Sequence, residues 1–256
     1  MTGDPAFITY QAFADIYNAF NHSNDYEMWL GRALLPELSK WGLPADGCAL
    51  DVGCGTGRAF EPLLDRGWKV VGCDLSPAML RVAARGGGSQ VELHVADMRE
   101  LGQLGSFDLV LSLNDSVNYL LGDSDLVRAL ARMRTNLAAN GLLIFDVNSQ
   151  LVYQQAYQGV HEVEHEGCHW RWTGRGEVAP SVYESWVEGD GIGEPFFNRQ
   201  RFRPVTEVEE ALTDAGLTCL AALGMEEVDG EVVLANLPDE GRHYKVVFIA
   251  RSYAGS

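Results

Sequence analysis

The sequence predicts a doubly wound α/β fold, with short apolar strands alternating with helices around a parallel sheet. Three observations carry this. Strand-like apolar runs and helical patterns alternate from about residue 48 to 147. A glycine turn, Gly53-Cys54-Gly55-Thr56-Gly57, joins the first of these runs to a helix. Acids close three successive strands at Asp51, Asp74 and Asp97. In such a sheet, ligands lie across the carboxyl ends of the strands, where these acids fall.

Each element has its own reason. Phe7 to Phe20 carries apolar residues at 7, 10, 13, 16, 17 and 20, the spacing of a helix. Asp25 can cap a second helix through Glu27, Trp29 and Ala33, and Pro36 forces a kink or a new start. The first strand is Cys48 to Val52, followed by the glycine turn and a helix from Arg58 to Arg66. The second strand runs from Lys69 to Cys73. Ser76-Pro77 then opens a helix with a capping residue and a proline in its first turn, and Gly86-Gly87-Gly88 ends it. Val91 to Ala96 is the third strand and Phe107 to Ser112 the fourth. A helix from Ser124-Asp125 runs to Gly141 as its C′ glycine, and Leu142 to Val147 is the fifth strand. Thr206-Glu207-Val208-Glu209 reads as a capping box for a helix closed by Gly216. Leu217 to Leu223 and Tyr244 to Arg251 supply the sixth and seventh strands.

The turn is G-x-G-x-G behind an acid, not the G-x-G-x-x-G of dinucleotide binders. Bare glycine amides and the helix N-terminus after them can receive a ligand. An acid after the second strand can accept both ribose hydroxyls, and one after the third can take an exocyclic amine. Together these imply an adenosine ligand.

With these residues the chain resembles the class I S-adenosylmethionine-dependent methyltransferases. Asp51 to Gly57 matches the family's D/E-x-G-x-G-x-G turn, and Asp74-Leu75-Ser76-Pro77-Ala78-Met79-Leu80 its ribose segment. Asp97-Met98 matches the adenine position, and Phe107-Asp108-Leu109-Val110-Leu111 with its sequel the segment after strand four. The likeness is strongest over roughly residues 10 to 150. It implies a Rossmann-like, seven-stranded sheet with the last strand antiparallel, an N-terminal helical lid, and S-adenosyl-L-methionine as cofactor. The implied cofactor wall is Tyr26, Trp29, Asp51, Gly53, Cys54, Gly55, Asp74, Leu75, Met79, Asp97, Met98, Leu113 and Asn114. Phe13-Ala14-Asp15-Ile16-Tyr17 resembles the family's N-terminal motif, whose tyrosine faces the cofactor's methionine end. Leu113-Asn114-Asp115-Ser116-Val117-Asn118-Tyr119 resembles a segment of the small bacterial amino-sugar N-methyltransferases. That likeness makes Tyr119 the candidate for orienting or deprotonating an acceptor, with Tyr17 opposite.

The 256 residues suit one α/β domain with an insertion. Residues 1–148 and 204–256 make the cofactor-binding domain, and 149–203 an inserted antiparallel β cap over the substrate pocket. In that insertion we read three strands, over His161 to Trp172, Ser181 to Glu188 and Phe196 to Arg203. On one continuous strand His161, His165, His169 and Arg171 share a face opposite Glu162, Glu164 and Glu166. Histidines four apart on a strand stand roughly 13 Å apart, too far to share a metal ion, so no metal is expected. Arg199, Arg201 and Arg203 share a face, either solvated and paired with glutamates or a clamp for a phosphate or carboxylate.

A net charge of −17 lacks the basic footprint of a nucleic-acid binder. No apolar run reaches about 18 residues, so no membrane span is expected. Met1-Thr2-Gly3-Asp4-Pro5 lacks the pattern of a secretory leader. Five scattered cysteines suit reduced thiols in a cytoplasm. A homodimer is compatible with the sequence. Methyl transfer is an in-line displacement that alignment and water exclusion can largely catalyse, so neither a triad nor a metal is required. The reading is therefore a small-molecule methyltransferase of bacterial secondary metabolism, acting on an amine or an activated aromatic acceptor. C- or O-methylation of an aromatic metabolite is the alternative. Charge disfavours RNA base methylation, and the glycine spacing disfavours nicotinamide chemistry.

Overall fold

A computed structural model describes residues 5–87 and 90–253. Gly88 of the expected glycine stop, and the first four residues, lie outside the described residues. Helix α1 (Pro5–Phe13) and a single turn, α2 (Tyr17–Phe20), replace the one helix expected over this stretch. Asp25 caps the next helix, its carboxylate accepting from the Met28 amide at 3.0 Å. That helix (Glu27–Leu34) is wound in the wider π form, and α3 (Leu35–Ser39) restarts with Pro36 in its first turn.

The sheet strands are β1 (Cys48–Val52), β2 (Lys69–Asp74), β3 (Val91–Val95), β4 (Phe107–Ser112) and β5 (Leu137–Asn148). Between them lie α4 (Phe60–Leu64), α5 (Pro77–Gly87) and α6 (Asp125–Arg134). The expected long helix ends at Arg134, not at Gly141. The reason is Asn136, fully buried, whose amide bonds Leu104, Gly102 and Arg132 and turns the chain into β5. Gly141 sits inside that strand.

Beyond β5, α7 (Gln150–Gln155) leads to a second sheet of β6 (Val160–His165), β7 (Cys168–Ala179), β8 (Val182–Gly189) and β9 (Phe196–Arg201), paired in that order and all antiparallel. This sheet has four strands, where three were expected. The run read as one strand folds at Glu166-Gly167, both at positive φ (51° and 81°), into a hairpin. Glu162 therefore faces Arg171 and Glu164 faces His169 across the pair, so acids and bases share a face instead of opposing each other.

Helix α8 (Val205–Asp214) returns the chain to the main sheet. Its expected capping box does not form: Pro204 is the N-cap and no side chain caps it. Strands β10 (Leu217–Val228), β11 (Glu231–Ala235) and β12 (Lys245–Ser252) complete an eight-stranded sheet in the order β11-β10-β12-β5-β4-β1-β2-β3. β1 to β5 are mutually parallel, and β12 runs antiparallel to β5. The strand beyond the expected seven is β11, joined to β10 by Asp229-Gly230, both at positive φ. Asp-Gly between alternating runs is the strongest short hairpin signal, and it was present in the sequence.

Both faces of the main sheet are covered. One carries Leu30, Leu34, Leu38, Leu63 and Trp68; the other carries Leu126, Leu130, Met133, Val208 and Leu212. The lid helices pack between the second sheet and α5. Phe13 meets Phe196 with ring centroids 4.2 Å apart, while Ala14 packs with Ala78 and Met79. Burying one such ring contributes about 1.5–3 kcal/mol. Among the described residues no helix is long and apolar enough to cross a membrane.

Candidate active site

A cleft opens above the carboxyl ends of β1, β2 and β4, beneath the lid. Its floor is the glycine turn. Gly55, at φ +55°, lines the cleft, and a Cβ placed there would meet nothing within 4 Å, so its backbone is bare to a ligand. The Asp74 carboxylate is held from two sides, by the Gly55 amide at 2.8 Å and the Ser76 amide at 2.8 Å. Burial raises its pKa and these amides oppose the rise. Ser76 also caps α5 through the Met79 amide, as the sequence implied.

Of the thirteen residues expected at the cofactor wall, eleven line this cleft: Tyr26, Gly53, Cys54, Gly55, Asp74, Leu75, Met79, Asp97, Met98, Leu113 and Asn114. Asp51 and Trp29 do not. Asp51 lies buried at the end of β1, its carboxyl pushed up to about 8 by burial and by the charge of Asp74. Trp29 is buried in the core with Leu30 and Leu34 and lines a separate cavity that also touches Met225, Val232 and Tyr244.

Asp97 reaches the cleft, but its carboxylate is already clasped by the Arg99 guanidinium, at 2.6 to 3.1 Å. It also accepts from the Arg99 amide. Burial alone would raise its pKa; the bonds from Arg99 outweigh that and lower it. An exocyclic amine would have to share this acid with Arg99, which the sequence reading did not foresee.

The lid closes over the turn by polar contacts. Thr56 donates to Asn18 at 2.6 Å, and Gln11 accepts from Ser76 and Ala78. Arg58 donates to the carbonyls of Asn21 and Asn24 and lies 5.5 Å from the Tyr26 ring centroid.

At the other end of the cleft both expected catalytic tyrosines are present, with a third. Tyr10 donates to the Tyr119 hydroxyl at 2.6 Å, and Tyr119 reaches Asn198 of β9 at 3.4 Å. Tyr17 accepts from Asn114 at 3.2 Å, and Asn114 accepts from Asn24 at 3.1 Å. Burial pushes the Tyr17 hydroxyl up to about 12, with the Asp115 charge adding to it. Burial and Asp115 push Tyr119 higher still. Both shifts run against ionisation of the hydroxyls.

Asn114 and Asp115 are consecutive non-glycine residues at positive φ (58° and 55°). Such backbone costs of order 1 kcal/mol per residue and persists only where its surroundings enforce it. Here Lys245 donates to Asp115 at 2.9 Å and to Asp146 at 2.7 Å, and the Asp115 amide donates to Asp146 at 2.9 Å. Gln200 of β9 donates to the other Asp115 oxygen at 2.5 Å. Burial works against the Lys245 charge, but the two carboxylates prevail and raise its pKa.

The cap's charged residues are mostly spoken for. Arg175 and Arg199 both bind buried Glu184; Arg201 pairs with Asp123 and Glu207, and Arg203 is buried against the carbonyl of Leu120. The three arginines therefore do not form an open clamp. His165 stacks on His22 of the lid at 4.2 Å.

Residues 49–141 match the family described as "Methyltransferase domain". A protein of Geobacillus sp. (strain WCH70) that carries the name of a methyltransferase is 31% identical over 224 residues, covering 83% of this chain and 90% of that protein. The chain belongs to the class I S-adenosylmethionine-dependent methyltransferases. The methyltransferase is also similar to a dTDP-4-amino-2,3,4,6-tetradeoxy-D-glucose N,N-dimethyltransferase of Saccharopolyspora spinosa, at 33% identity over 134 residues, 52% of this chain and 53% of that one. Its fold is that of a methyltransferase crystal structure from Clostridium acetobutylicum, with a TM-score of 0.76 at 22% identity over 96% of this chain and 99% of that one. Its cofactor is S-adenosyl-L-methionine, and its substrate is a small molecule.

Proposed function

We propose that the methyltransferase acts on an amine of a small polar molecule, amino sugars among them, in bacterial secondary metabolism. The carrying observation is the lack of a free general base. Among the described cleft-lining residues, the Tyr17 and Tyr119 hydroxyls are shifted against ionisation, Asp74 is bound by backbone amides and Asp97 by Arg99. The neutral form of an amine, present as a fraction at neutral pH, already carries a nucleophilic lone pair. A phenol or carbon acid becomes a good nucleophile only after losing a proton, and the cleft offers no free base to take it. Three amino-sugar N,N-dimethyltransferases among the relatives support the same reading.

The residues fit the cofactor. Gly53 and Gly55 offer backbone, Asp74 would accept the ribose hydroxyls, and Leu75, Met79 and Met98 would flank the base, with Asp97 and Arg99 at its edge. S-adenosyl-L-methionine supplies a methyl group on a sulfonium, open to attack by a lone pair. Tyr17, Tyr119 and Asn114 would orient that lone pair, and the lid together with residues 149–203 as the cap would exclude water. Tyr10 would fix the Tyr119 hydroxyl.

The test is methyl transfer, read as S-adenosylhomocysteine formation with mass detection of product. The panel is primary and secondary amines, amino sugars, phenols and indoles. Products confined to the amines support the reading; a methylated phenol or indole without amine products overturns it.

A further inference from the structure

The left-handed pair Asn114-Asp115 is where the lid, the main sheet and the cap meet. Asn114 lines both the cofactor cleft and the second cavity. It bonds Tyr17 and Asn24 of the lid. Locally, the Ser116 hydroxyl donates to the Leu113 carbonyl at 2.9 Å, spanning the pair. Asp115 is also gripped from three distant elements: Lys245 at the start of β12, Asp146 near the end of β5, and Gln200 in the cap. Gln200 is itself buried, and its carbonyl accepts from Asn148 at 3.0 Å and Tyr153 at 3.1 Å, so its amide has one orientation. Lys245 is equally committed: its ammonium donates to both carboxylates and lines the second cavity.

We propose that Lys245, with Asp146 and the cap residue Gln200, is a positioning clamp that holds Asp115 and so keeps Asn114 and Tyr17 aligned in the cleft. The clamp couples seating of the cap to the shape of the cofactor pocket, because Gln200 comes from the cap and Lys245 from the sheet. None of the three is a catalytic residue. They act through Asn114, whose amide reaches the Tyr17 hydroxyl. This assignment rests on the proposed acceptor end only for its turnover consequence.

The test compares wild type with Lys245→Met, Lys245→Arg and Gln200→Leu. Three readouts are used: amide hydrogen exchange by mass spectrometry, calorimetric titration with S-adenosylhomocysteine, and turnover on whichever amine of the panel is methylated. Lys245→Met is expected to speed exchange at least tenfold in residues 113–119 and 17–24, with β1 to β3 unchanged. Its turnover should fall about thirtyfold and its S-adenosylhomocysteine affinity by less than tenfold, because Asp74 and the glycine turn remain. Lys245→Arg should restore much of both. Gln200→Leu, which leaves the charges paired, should show the same exchange pattern more weakly. The clamp is overturned if residues 113–119 keep wild-type protection in both Lys245→Met and Gln200→Leu. It is equally overturned if protection is lost across the whole sheet in Gln200→Leu, which would make these residues merely structural. Should wild type methylate no amine, the acceptor reading falls while exchange and calorimetry still decide the clamp.

Discussion

The two ends of the cleft are built by different means. At the ribose end the contacts are short-range in sequence: Asp74 is bound by Ser76 two residues on and by Gly55 nineteen residues back. At the end beside Tyr119, the proposed acceptor end, they span most of the chain. Tyr10 and Tyr119 are 109 residues apart, Asp115 and Gln200 are 85 apart, and Asp115 and Lys245 are 130 apart. The first kind of site is written in a turn and two strand ends. The second exists only once the N-terminal helices, the main sheet and the second sheet have docked.

That contrast can be broken by substitution. The largest effect is expected at the ribose end. Asp74→Ala removes the proposed acceptor of both ribose hydroxyls, and charge-assisted bonds are worth about 1.5–3 kcal/mol each. Calorimetry should show S-adenosylhomocysteine affinity falling roughly 100-fold or more; an unchanged dissociation constant would remove Asp74 from the cofactor site. Tyr119→Phe should do the reverse, lowering turnover about tenfold with cofactor affinity kept, the cost of one orienting hydroxyl. Equal loss of both would move Tyr119 into the cofactor shell.

A pH series sharpens the boundary between the ends. The Asp51 carboxyl stands at about 8 in the folded chain, raised by burial and by Asp74, against 3.8 ordinarily. Between those values the folded protein holds a proton that the unfolded chain has released. The ligand-free protein should therefore lose stability as pH rises across that window, and be steadiest with respect to this group below it. Thermal melts from pH 5 to 8 should show this slope in wild type and its loss in Asp51→Asn. Trp29→Phe should have the smallest effect. S-adenosylhomocysteine affinity should stay within about twofold, with stability lower by roughly 1 kcal/mol from lost packing. A large affinity loss would return Trp29 to the cofactor wall.

The same contrast explains how legible each part was. β1, β4 and the glycine turn were readable because their signals are local, as were Asp25 and Ser76 as caps. The hairpins at Glu166-Gly167 and Asp229-Gly230 were also locally marked, and reading through them cost one strand in each sheet. Arg99 on Asp97 had a sequence signal too, a base two residues from an acid, but not one that says which partner wins. Lys245 and Gln200 had none. A lysine opening a strand and a glutamine on a cap strand look like solvent-facing residues until both are found buried against Asp115.

The sequence by itself determined the doubly wound sheet, the cofactor and the place of Asp74 in the cleft. Periodicity, turn chemistry and strand-end acids act over a few residues and do not depend on docking. Only the tertiary structure decided that Trp29 belongs to the core, that the Tyr119 pKa is raised and that Asn114-Asp115 is gripped in a left-handed backbone. The first two depend on burial and the third on partners brought from distant strands, and both are properties of the assembled fold.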